Sequence, residues 1–285
     1  MMKKKLSIFI GLFLTTMLVL AGCGTSSKSN GSGSSNNDTK EKDTFTIGLE
    51  AGYPPFNWTQ MNDSNGGVKL DGNAEYAGGY DVEIAKKIAD GLGKKLVIVK
   101  TEWDGLVPAL TSGKIDAIMA GMSPTKERKK TIDFSDNYYT SNFVMVVKKG
   151  GPYEGAKSIQ DFKGAKVTGQ LNTSHYGVID QINGVKKQTA MDNFPAMRVA
   201  LESGKIDGYV SERPEGISAS SANENFAMIE FTDGFKAPEE ETAVAVGLRK
   251  DSDLTDKINE ILAKISDQDR QEIMDNAIKN QPAAE

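Results

Sequence analysis

Apolar residues recur along the chain with two spacings, one typical of strands and one typical of helices. Residues 45–49 alternate between apolar and polar side chains, which predicts a strand. Between residues 81 and 92 apolar side chains recur every three or four positions and Gly93 follows, which predicts a helix with a glycine stop. Further apolar runs predict strands at 96–99, 143–147 and 165–167 and a C-terminal helix from Leu254 to Ile265. Strands that alternate with helices are typical of an α/β fold.

One stretch of the chain occurs twice, at a constant offset of 91 residues. The run Ser-Gly-Lys-Ile-Asp stands at 112–116 and again at 203–207. Each copy predicts a helix that ends at a glycine, then a tight turn and a short strand, at 115–119 and at 206–210. Because this offset is too long for a solenoid repeat, we expect two similar α/β lobes.

The carboxyl ends of the predicted strands are the expected place for a ligand. Strand-helix alternation in both halves predicts mostly parallel sheets covered by helices. In such sheets ligands bind beyond the carboxyl ends of the strands. In the two copies those ends fall at residues 120–123 and at 211–212. The sequence therefore predicts one site between two lobes that face each other.

Polar residues after these two strand ends suggest a zwitterionic ligand. Ser123 followed by Pro124 is typical of a helix start, where free N–H groups favour an anion. Arg128 adds a guanidinium that can hold a carboxylate by two parallel hydrogen bonds, although a solvated Arg128 on a capped surface helix is the alternative interpretation. Glu212, at the other strand end, can accept an ammonium group, or it can be a rim carboxylate paired with Arg213. Together the two groups match the two ends of an α-amino acid.

Aromatic residues gather near the first strands. Tyr53 and Phe56 flank two prolines, and Trp103 follows the predicted strand at 96–99. Rings held by prolines can form a wall around an aliphatic or cationic side chain. Core packing is the alternative interpretation, above all for Phe56. Glu50 directly follows the first strand and either receives a positively charged ligand side chain or lies at a solvated rim.

The N-terminus has the pattern of an export signal. Three lysines precede an apolar stretch from Leu6 to Leu20, and Leu20-Ala-Gly-Cys23 resembles a bacterial lipobox. We expect cleavage before Cys23, which then carries the acyl chains, palmitate among them, that attach the protein to a membrane. An uncleaved membrane anchor is the alternative. Residues 24–44 contain no aliphatic or aromatic side chain, which is typical of a flexible tether.

Composition and charge exclude several classes of protein. With 38% apolar and 26% charged residues and one long apolar run, the chain is not a multi-span membrane protein. The net charge is −5, or −8 after removal of residues 1–22 with their three lysines, which argues against a nucleic-acid partner. One cysteine and one histidine cannot form an internal disulfide or a structural zinc site, and we expect no metal and no cofactor.

Six short motifs follow one another in a fixed order over residues 45–280. They are Tyr-Pro-Pro-Phe at 53–56, Gly-Tyr-Asp-Val-Glu-Ile-Ala at 79–85, Trp-Asp-Gly-Leu-Val-Pro-Ala-Leu at 103–110, Gly-Lys-Ile-Asp at 113–116, Gly-Met-Ser-Pro-Thr-Lys-Glu-Arg at 121–128 and Asp-Phe-Ser at 133–135. In these motifs the chain resembles the polar amino-acid solute-binding proteins of ABC importers, extracellular solute-binding protein family 3. The resemblance implies a two-lobed periplasmic-binding-protein-like α/β fold with two hinge crossings, near residues 139–141 and 240–244.

The resemblance also implies an organisation and a function. Its segments are a lipoprotein signal peptide at 1–22, a tether at 23–44, a first lobe at 45–139 plus 240–285 and a second lobe at 140–239. The implied protein is a monomer that captures an amino acid outside the membrane and delivers it to an ABC permease and ATPase complex. Lipid attachment fits a Gram-positive surface or a periplasmic leaflet, and the long Ser/Asn/Lys tether favours the former.

By position, the resemblance assigns roles to residues of this chain. The ligand carboxylate falls to Arg128, helped by Ser123, the Gly121 main chain and Thr173, which stands at a helix start of the second lobe. The ligand ammonium falls to Glu212 and Gly121, and Glu212 replaces the aspartate that is more common in the family. The residues implied for the ligand side chain are Glu50, Tyr53, Phe56, Trp103 and Ser174.

The sequence favours one ligand class and leaves alternatives. Glu50, the aromatic residues and the negative net charge favour a cationic amino acid, lysine or arginine, while glutamine or another polar amino acid such as cystine is the alternative. A dehydratase-type enzyme or a sensor domain on the same scaffold is a further alternative, although no nucleophile-base pair or metal-ligand spacing is visible. The stretch 59–77 is longer than the usual turn and suggests a surface hairpin or a lip on the cleft.

Overall fold

Two five-stranded sheets with helices packed on them form the two lobes, and the computed structural model describes residues 43–282. The predicted signal peptide, Cys23 and the predicted tether up to residue 42 lie outside the described residues. Within the described range no helix has both the length and the apolar character needed to cross a membrane.

The strands and helices follow the alternation that the sequence predicts. In chain order the strands are β1 Thr44–Leu49, β2 Gly52–Tyr53, β3 Asn57–Gln60, β4 Val68–Lys69, β5 Tyr76–Gly78, β6 Lys95–Lys100, β7 Ala117–Ile118, β8 Asp133–Thr140, β9 Phe143–Lys148, β10 Lys166–Thr168, β11 Lys186–Lys187, β12 Gly208–Glu212, β13 Phe226–Ile229 and β14 Ala243–Leu248. The helices are α1 Tyr80–Gly91, α2 Leu106–Thr111, α3 Ser174–Gly177, α4 Phe194–Glu202, α5 Arg213–Ala222, α6 Leu254–Leu262 and α7 Asp267–Asn280.

Both main sheets are mixed, and in each of them four strands run in one direction and one strand runs against them, which agrees with the prediction of mostly parallel sheets. The first sheet has the order β6-β1-β7-β14-β8, with β1 parallel to β6 and β7 and with β14 antiparallel to both of its neighbours. The second has the order β11-β10-β12-β9-β13, with β10 parallel to β11 and β12 and with β9 antiparallel to both of its neighbours. Because β9 and β14 enter their lobes from the other lobe, they run against the strands whose carboxyl ends point there.

Two connections join the lobes and lie side by side. Strand β8 continues into β9 through residues 141–142, and β13 returns to β14 through residues 230–242. The main-chain N–H of Ser141 donates a hydrogen bond to the carbonyl of Thr242 at 3.0 Å. The fold is therefore two-lobed, with two adjacent crossings.

The internal repeat is a structural repeat down to single hydrogen bonds. In the first copy the Asp116 carboxylate accepts from the main-chain N–H of Thr46 at 3.0 Å. In the second copy the Asp207 carboxylate accepts from the N–H of Lys166 at 2.8 Å. Each aspartate also donates its own N–H to the carbonyl of the same neighbour. The repeated aspartate thus fastens the last strand of each copy to the adjacent strand.

The pairing register shows which positions of the two lobes correspond. Ile47 of β1 pairs with Ala117 of β7, and Val167 of β10 pairs with Gly208 of β12. Positions of β7 and β12 therefore differ by 91 residues, whereas positions of β1 and β10 differ by 120 residues. The strands β7 and β12 begin two residues later than predicted, because the main-chain N–H of Ile115, for example, still bonds to the preceding helix.

Two segments contain elements that the sequence did not resolve. The stretch 59–77 contributes strands to a small antiparallel sheet of order β2-β3-β5-β4 on the first lobe, which supports the hairpin interpretation. At the C-terminus the predicted helix ends at Leu262, and a new helix begins at Asp267 with Ser266 as its N-cap. Ser266 and Asp269 form a reciprocal capping box, a signal that is present in the sequence.

The larger of the two apolar cores lies in the first lobe and continues into the second. It surrounds β1, α1 and β7 and extends through Tyr53 to Phe194 and Met197 of α4. The smaller core lies wholly in the second lobe, around β9, β10 and Phe162. The lobes therefore meet through apolar packing next to the carboxyl ends of their parallel strands.

Candidate functional site

One narrow cleft lies between the lobes at the carboxyl ends of β1, β7 and β10. Both lobes contribute to its lining. The lining residues are Tyr53, Trp103, Gly121, Ser123, Arg128, Gln170, Thr173, Ser174, His175 and Glu241. Seven of these residues are among the site residues that the sequence predicts. Within residues 43–282 no group of histidine, cysteine and carboxylate side chains is placed to hold a metal ion.

Arg128 of the first lobe reaches across the cleft. Its Nη1 donates to the Ser123 carbonyl at 2.9 Å, and its Nη2 donates to the carbonyl of Asn172 in the second lobe at 3.0 Å. The guanidinium carbon lies 5.0 Å from the ring centroid of Trp103, which is a cation–π contact. Burial lowers the pKa of Arg128 to about 10, so the group stays cationic at neutral pH. Three of its five N–H donors remain for a carboxylate.

The predicted helix start at Ser123 is wrong. The main-chain N–H of Thr125 turns back to the Ser123 carbonyl at 2.9 Å, and a short 3-10 turn follows only at Arg128–Lys130. The Ser123 hydroxyl donates to the Glu241 carbonyl at 3.2 Å and caps no helix. The hydroxyl of Ser123 is thus held by a tertiary contact, and its carbonyl is held by Thr125 and Arg128. An anion at this position depends on the guanidinium and not on a helix dipole.

Tyr53 lies between rings from both lobes. Its ring stacks on Phe194 of α4 with centroids 4.3 Å apart and on Phe56 with centroids 5.0 Å apart. Phe56 is fully buried behind Tyr53, meets Tyr80 and Tyr139 edge-on and does not line the cleft. We therefore correct the role of Phe56 from ligand contact to support of Tyr53.

Gly121 is required by the space that Tyr53 occupies. Its φ of +62° is left-handed, and a Cβ at this position would lie 2.6 Å from a ring carbon of Tyr53. Its main chain also lowers the pKa of the buried Asp81 carboxylate. A main-chain carbonyl at this position can accept a hydrogen bond from an ammonium group, and a main-chain N–H can donate to a carboxylate.

A buried carboxylate supports this glycine from below. Asp81 accepts hydrogen bonds from the Asn57 amide at 2.9 Å and from the Tyr138 hydroxyl at 2.6 Å. Burial raises the pKa of Asp81 to about 7, against the lowering effect of these hydrogen bonds. The Gly-Tyr-Asp motif therefore holds the floor of the cleft.

Glu212 is fully buried, so its interpretation as a rim carboxylate paired with Arg213 is wrong. Arg213 pairs instead with Glu230 at 2.7 Å on the surface. Oε1 of Glu212 lies 3.2 Å from Nε2 of His175, but the ring N–H is not directed at that oxygen and makes no hydrogen bond. Glu212 thus lies directly behind a cleft-lining residue of the second lobe.

The second lobe contributes a short helix start, where the sequence predicts it. Helix α3 begins at Ser174, and Thr173 occupies the preceding position. The Thr173 hydroxyl donates to the Gln170 carbonyl at 2.7 Å and caps no helix. Thr173 and Ser174 both line the cleft, as does His175.

Gln170 lines the cleft, and Glu50 lies behind Gln170, away from the cleft. Oε2 of Glu50 accepts a hydrogen bond from Nε2 of Gln170 at 3.1 Å. Gln170 lines the cleft and Glu50 does not. Burial raises the pKa of Glu50 to about 7, although the hydrogen bond from Gln170 opposes this shift. The predicted acid is in place, but it acts through a partner that the sequence did not identify.

Several buried polar atoms around the cleft have no hydrogen-bond partner within the described chain. They are Oε1 of Glu50, the hydroxyl of Tyr53, Nε2 of His175 and both carboxylate oxygens of Glu212. A buried polar atom without a hydrogen bond costs free energy, and such atoms are few in folded proteins. Their concentration at one place indicates a site for a polar ligand.

Sequence reasoning missed Gln170, Phe194 and Glu241. Two of them have a signal in the repeat. Gln170 corresponds to Glu50 at the offset of 120, and Phe194 corresponds to Trp103 at the offset of 91. The repeat places both next to the cleft once the strand ends of one lobe are known. Glu241 lies in the second crossing and has no comparable signal.

Comparison with known proteins gives matches over nearly the whole described chain. Residues 45–279 match the bacterial extracellular solute-binding proteins, family 3. The arginine-binding extracellular protein ArtP of Bacillus subtilis is 30% identical over 273 residues, which cover 93% of this chain and 94% of ArtP. The L-cystine-binding protein TcyJ of Escherichia coli K12 is 32% identical over 253 residues, 87% of each chain.

A solved structure matches the fold. An amino acid ABC transporter substrate-binding protein from Streptococcus pneumoniae, bound to L-arginine, superposes with a TM-score of 0.73 at 28% identity. The match covers 83% of this chain and 94% of that one.

Proposed function

The chain belongs to family 3 of the bacterial extracellular solute-binding proteins and is the extracellular amino-acid-binding component of an ABC transporter, and from this premise we propose that it captures lysine or arginine between its two lobes. The family and these relatives are substrate-binding transport proteins and not enzymes. We propose three things beyond the family: that the ligand has a cationic side chain, that the protein is anchored to a membrane, and that the site residues have the roles given below.

The observation that carries the proposal is a cation that lines the cleft on the first lobe and a buried carboxylate that lies behind the lining on the second lobe. Arg128 has three N–H donors left for an α-carboxylate, and the two oxygens of Glu212 accept no hydrogen bond within the described chain, although Oε1 lies 3.2 Å from Nε2 of His175. The negative charge of Glu212 favours the cationic form of Arg128 and so raises the pKa of Arg128, against the lowering effect of burial. A zwitterion between them satisfies both groups at once, and it binds only when the lobes are together.

A further acidic group favours a positively charged side chain. Glu50 lies behind Gln170, which lines the cleft. Trp103 and Tyr53 both line the cleft with aromatic carbon, against which the aliphatic stem of such a side chain can pack. The names of the arginine-binding relative and of the arginine-bound structure agree with this choice. Glutamine and cystine remain the alternatives that the experiment must separate.

We propose the following organisation for capture and delivery. The first lobe comprises 45–139 and 240–285 and the second lobe 140–239, and closure is a hinge motion at the two crossings. Cys23 carries the lipid, and 23–44 is the tether that keeps a monomer at a Gram-positive cell surface. From there the closed protein delivers its amino acid to the permease and ATPase complex.

Thermal unfolding of the purified protein, stripped of bound ligand by unfolding and refolding, tests the ligand. The panel is the twenty amino acids with ornithine and cystine. A ligand at 100 times its Kd adds about 2.7 kcal/mol of stability. We expect stabilisation by arginine or lysine, its loss in Arg128→Ala and its retention in Arg213→Ala, which removes an exposed arginine. No shift with any amino acid would overturn the proposal, and a shift with glutamine or cystine alone would replace the cationic ligand.

Membrane fractionation tests the anchor separately. The wild-type protein should be found with the membranes and incorporate a palmitate analogue. Cys23→Ala should lose the label. If that variant is labelled as strongly as the wild type, Cys23 is not the lipid-bearing residue.

A further inference from the structure

Gln170 stands between the buried Glu50 and the cleft, and its amide group is locked. It is 3% exposed and follows β10 at the carboxyl end. Its Nε2 donates to Oε2 of Glu50 at 3.1 Å and to the main-chain carbonyl of Asp192 at 3.0 Å. Both N–H groups of the amide are therefore used inside the protein.

The orientation of this amide follows from its partners. A main-chain carbonyl can only accept a hydrogen bond, whatever the protonation state of Glu50. Rotating the amide by half a turn would place its oxygen against the carbonyl oxygen of Asp192 and lose that bond. The remaining polar atom of Gln170 is Oε1, to which no residue of the described chain donates a hydrogen bond. Gln170 can therefore offer the cleft only a hydrogen-bond acceptor, its Oε1.

We propose that Gln170 is a specificity-determining residue that offers only a hydrogen-bond acceptor to the ligand side chain. The inference rests on the proposed function and narrows it to side chains that end in donors alone, a guanidinium or an ammonium. A side-chain amide or ureido group brings its own carbonyl oxygen, which finds no donor at this place and stays unpaired.

Other groups of the cleft agree with this division of roles. The Tyr53 hydroxyl has no hydrogen-bond partner in the described chain and can accept a hydrogen bond as well as donate one. When Glu50 is ionised, its free oxygen is a second acceptor near Gln170. The side-chain end of the cleft is therefore rich in acceptors.

Matched ligands test the inference by isothermal titration. Citrulline has nearly the shape of arginine but carries a ureido carbonyl oxygen in place of one NH2 group of the guanidinium, so it lacks two N–H donors and the positive charge. We expect the wild-type protein to bind arginine about 100-fold more tightly than citrulline. Gln170→Met keeps the side-chain length and removes both polar atoms, and it should reduce this ratio at least tenfold. Gln188→Met is the control, because Gln188 lies in the same lobe but does not line the cleft.

Each outcome decides a different point. If the wild-type protein binds no amino acid, the proposed function fails. If it binds amino acids but the arginine-to-citrulline ratio is the same in Gln170→Met as in the wild type, Gln170 does not determine specificity and the proposed function stands. The wild-type ratio alone keeps the test decisive if the variant does not fold, since equal affinity for citrulline or a preference for it overturns the inference.

Discussion

Glu50 and Gln170 occupy equivalent positions in the two lobes and form a buried hydrogen bond of 3.1 Å that joins the lobes beside the cleft. Each stands three residues after the strand residue that pairs with the first residue of β7 or β12. One copy of the repeat carries an acid at this position and the other carries an amide. The site thus depends on two copies of one unit whose side chains have diverged into a donor and an acceptor.

The first prediction concerns stability against pH. The pKa of Glu50 is about 7 in the folded protein and 4.5 without burial, so the folded state holds its proton more tightly. The contribution of this group to stability is therefore complete below about pH 4.5 and is lost as the pH rises to 7. At about 1.4 kcal/mol per pKa unit, the loss is about 3 kcal/mol. Urea unfolding of the ligand-free protein between pH 4.5 and 8 measures it.

Glu50→Gln should flatten this profile. A residual slope of the same sign should remain, because the pKa of Asp81 is also raised to about 7 by burial. Glu102→Gln is the control, since it removes an exposed carboxylate near Glu50. An identical profile in wild type and Glu50→Gln would show that Glu50 does not titrate in this range.

The second prediction compares two glycines with left-handed backbones. Gly121 has a φ of +62° and would place a Cβ 2.6 Å from the Tyr53 ring, whereas Gly113 has a φ of +78° and open space around it. Alanine at either position costs about 1–2 kcal/mol of backbone strain. Gly121→Ala must also displace Tyr53 and should lose clearly more stability, together with ligand affinity. Thermal unfolding and titration measure both effects, and equal losses in the two variants would contradict the contact with Tyr53.

The third prediction concerns Asn172, whose carbonyl holds Arg128 from the second lobe. Its φ of +56° is left-handed, and its side-chain amide donates to Asp104 of the first lobe at 2.9 Å. Glycine tolerates this backbone, whereas alanine is strained by about 1–2 kcal/mol and shifts the carbonyl. Asn172→Ala should therefore weaken amino-acid binding more than Asn172→Gly does, as measured by titration.

The chain offers a matched control for this comparison. Asn65 is also left-handed, with a φ of +53°, but lies on the surface of the first lobe away from the cleft. Asn65→Ala should lower the unfolding temperature and leave the Kd unchanged. If Asn172→Ala and Asn172→Gly bind equally well, the carbonyl of Asn172 does not position Arg128.

The fourth prediction contrasts a buried and an exposed ion pair in the second lobe. Arg198 donates from Nη2 to the fully buried Glu215 at 2.7 Å, and Tyr209 and Ser211 also donate to that carboxylate. Arg198→Met leaves a buried charge without its partner and should cost about 3–5 kcal/mol in urea unfolding. Arg213→Met breaks an exposed pair and should cost less than about 1 kcal/mol.

The two variants have to be measured under the same conditions. A small loss for Arg198→Met, comparable to that for Arg213→Met, would mean that Tyr209 and Ser211 alone stabilise the buried carboxylate. Ligand binding should change little in Arg213→Met, because neither partner of its pair lines the cleft.

The sequence by itself determined the local elements and the repeat. The 3.6-residue spacing before Gly93 is sufficient to predict α1, since each apolar side chain of that face needs the same core. The two Ser-Gly-Lys-Ile-Asp runs predict two similar units because the glycine that ends each helix acts locally, whereas the hydrogen bonds of the repeated aspartates join strands that are 70 and 41 residues apart. The ordered motifs then identified the family, and with it most of the residues that line the cleft.

Only the tertiary structure decided which groups meet across the cleft. Ser123 and Pro124 have the sequence of a helix start, but no helix forms there. The Ser123 carbonyl accepts a hydrogen bond from Arg128, and its hydroxyl donates to the Glu241 carbonyl in the second crossing. Gln170 donates to Glu50, which is 120 residues away, and the carbonyl of Asn172 accepts from Arg128, which is 44 residues away. Both partners lie on the other lobe. The directions of β9 and β14 follow from the side on which the chain enters each lobe. Local sequence patterns determine the periodicity of helices and strands and where helices begin and end. The contacts across the cleft depend instead on how the two lobes face each other.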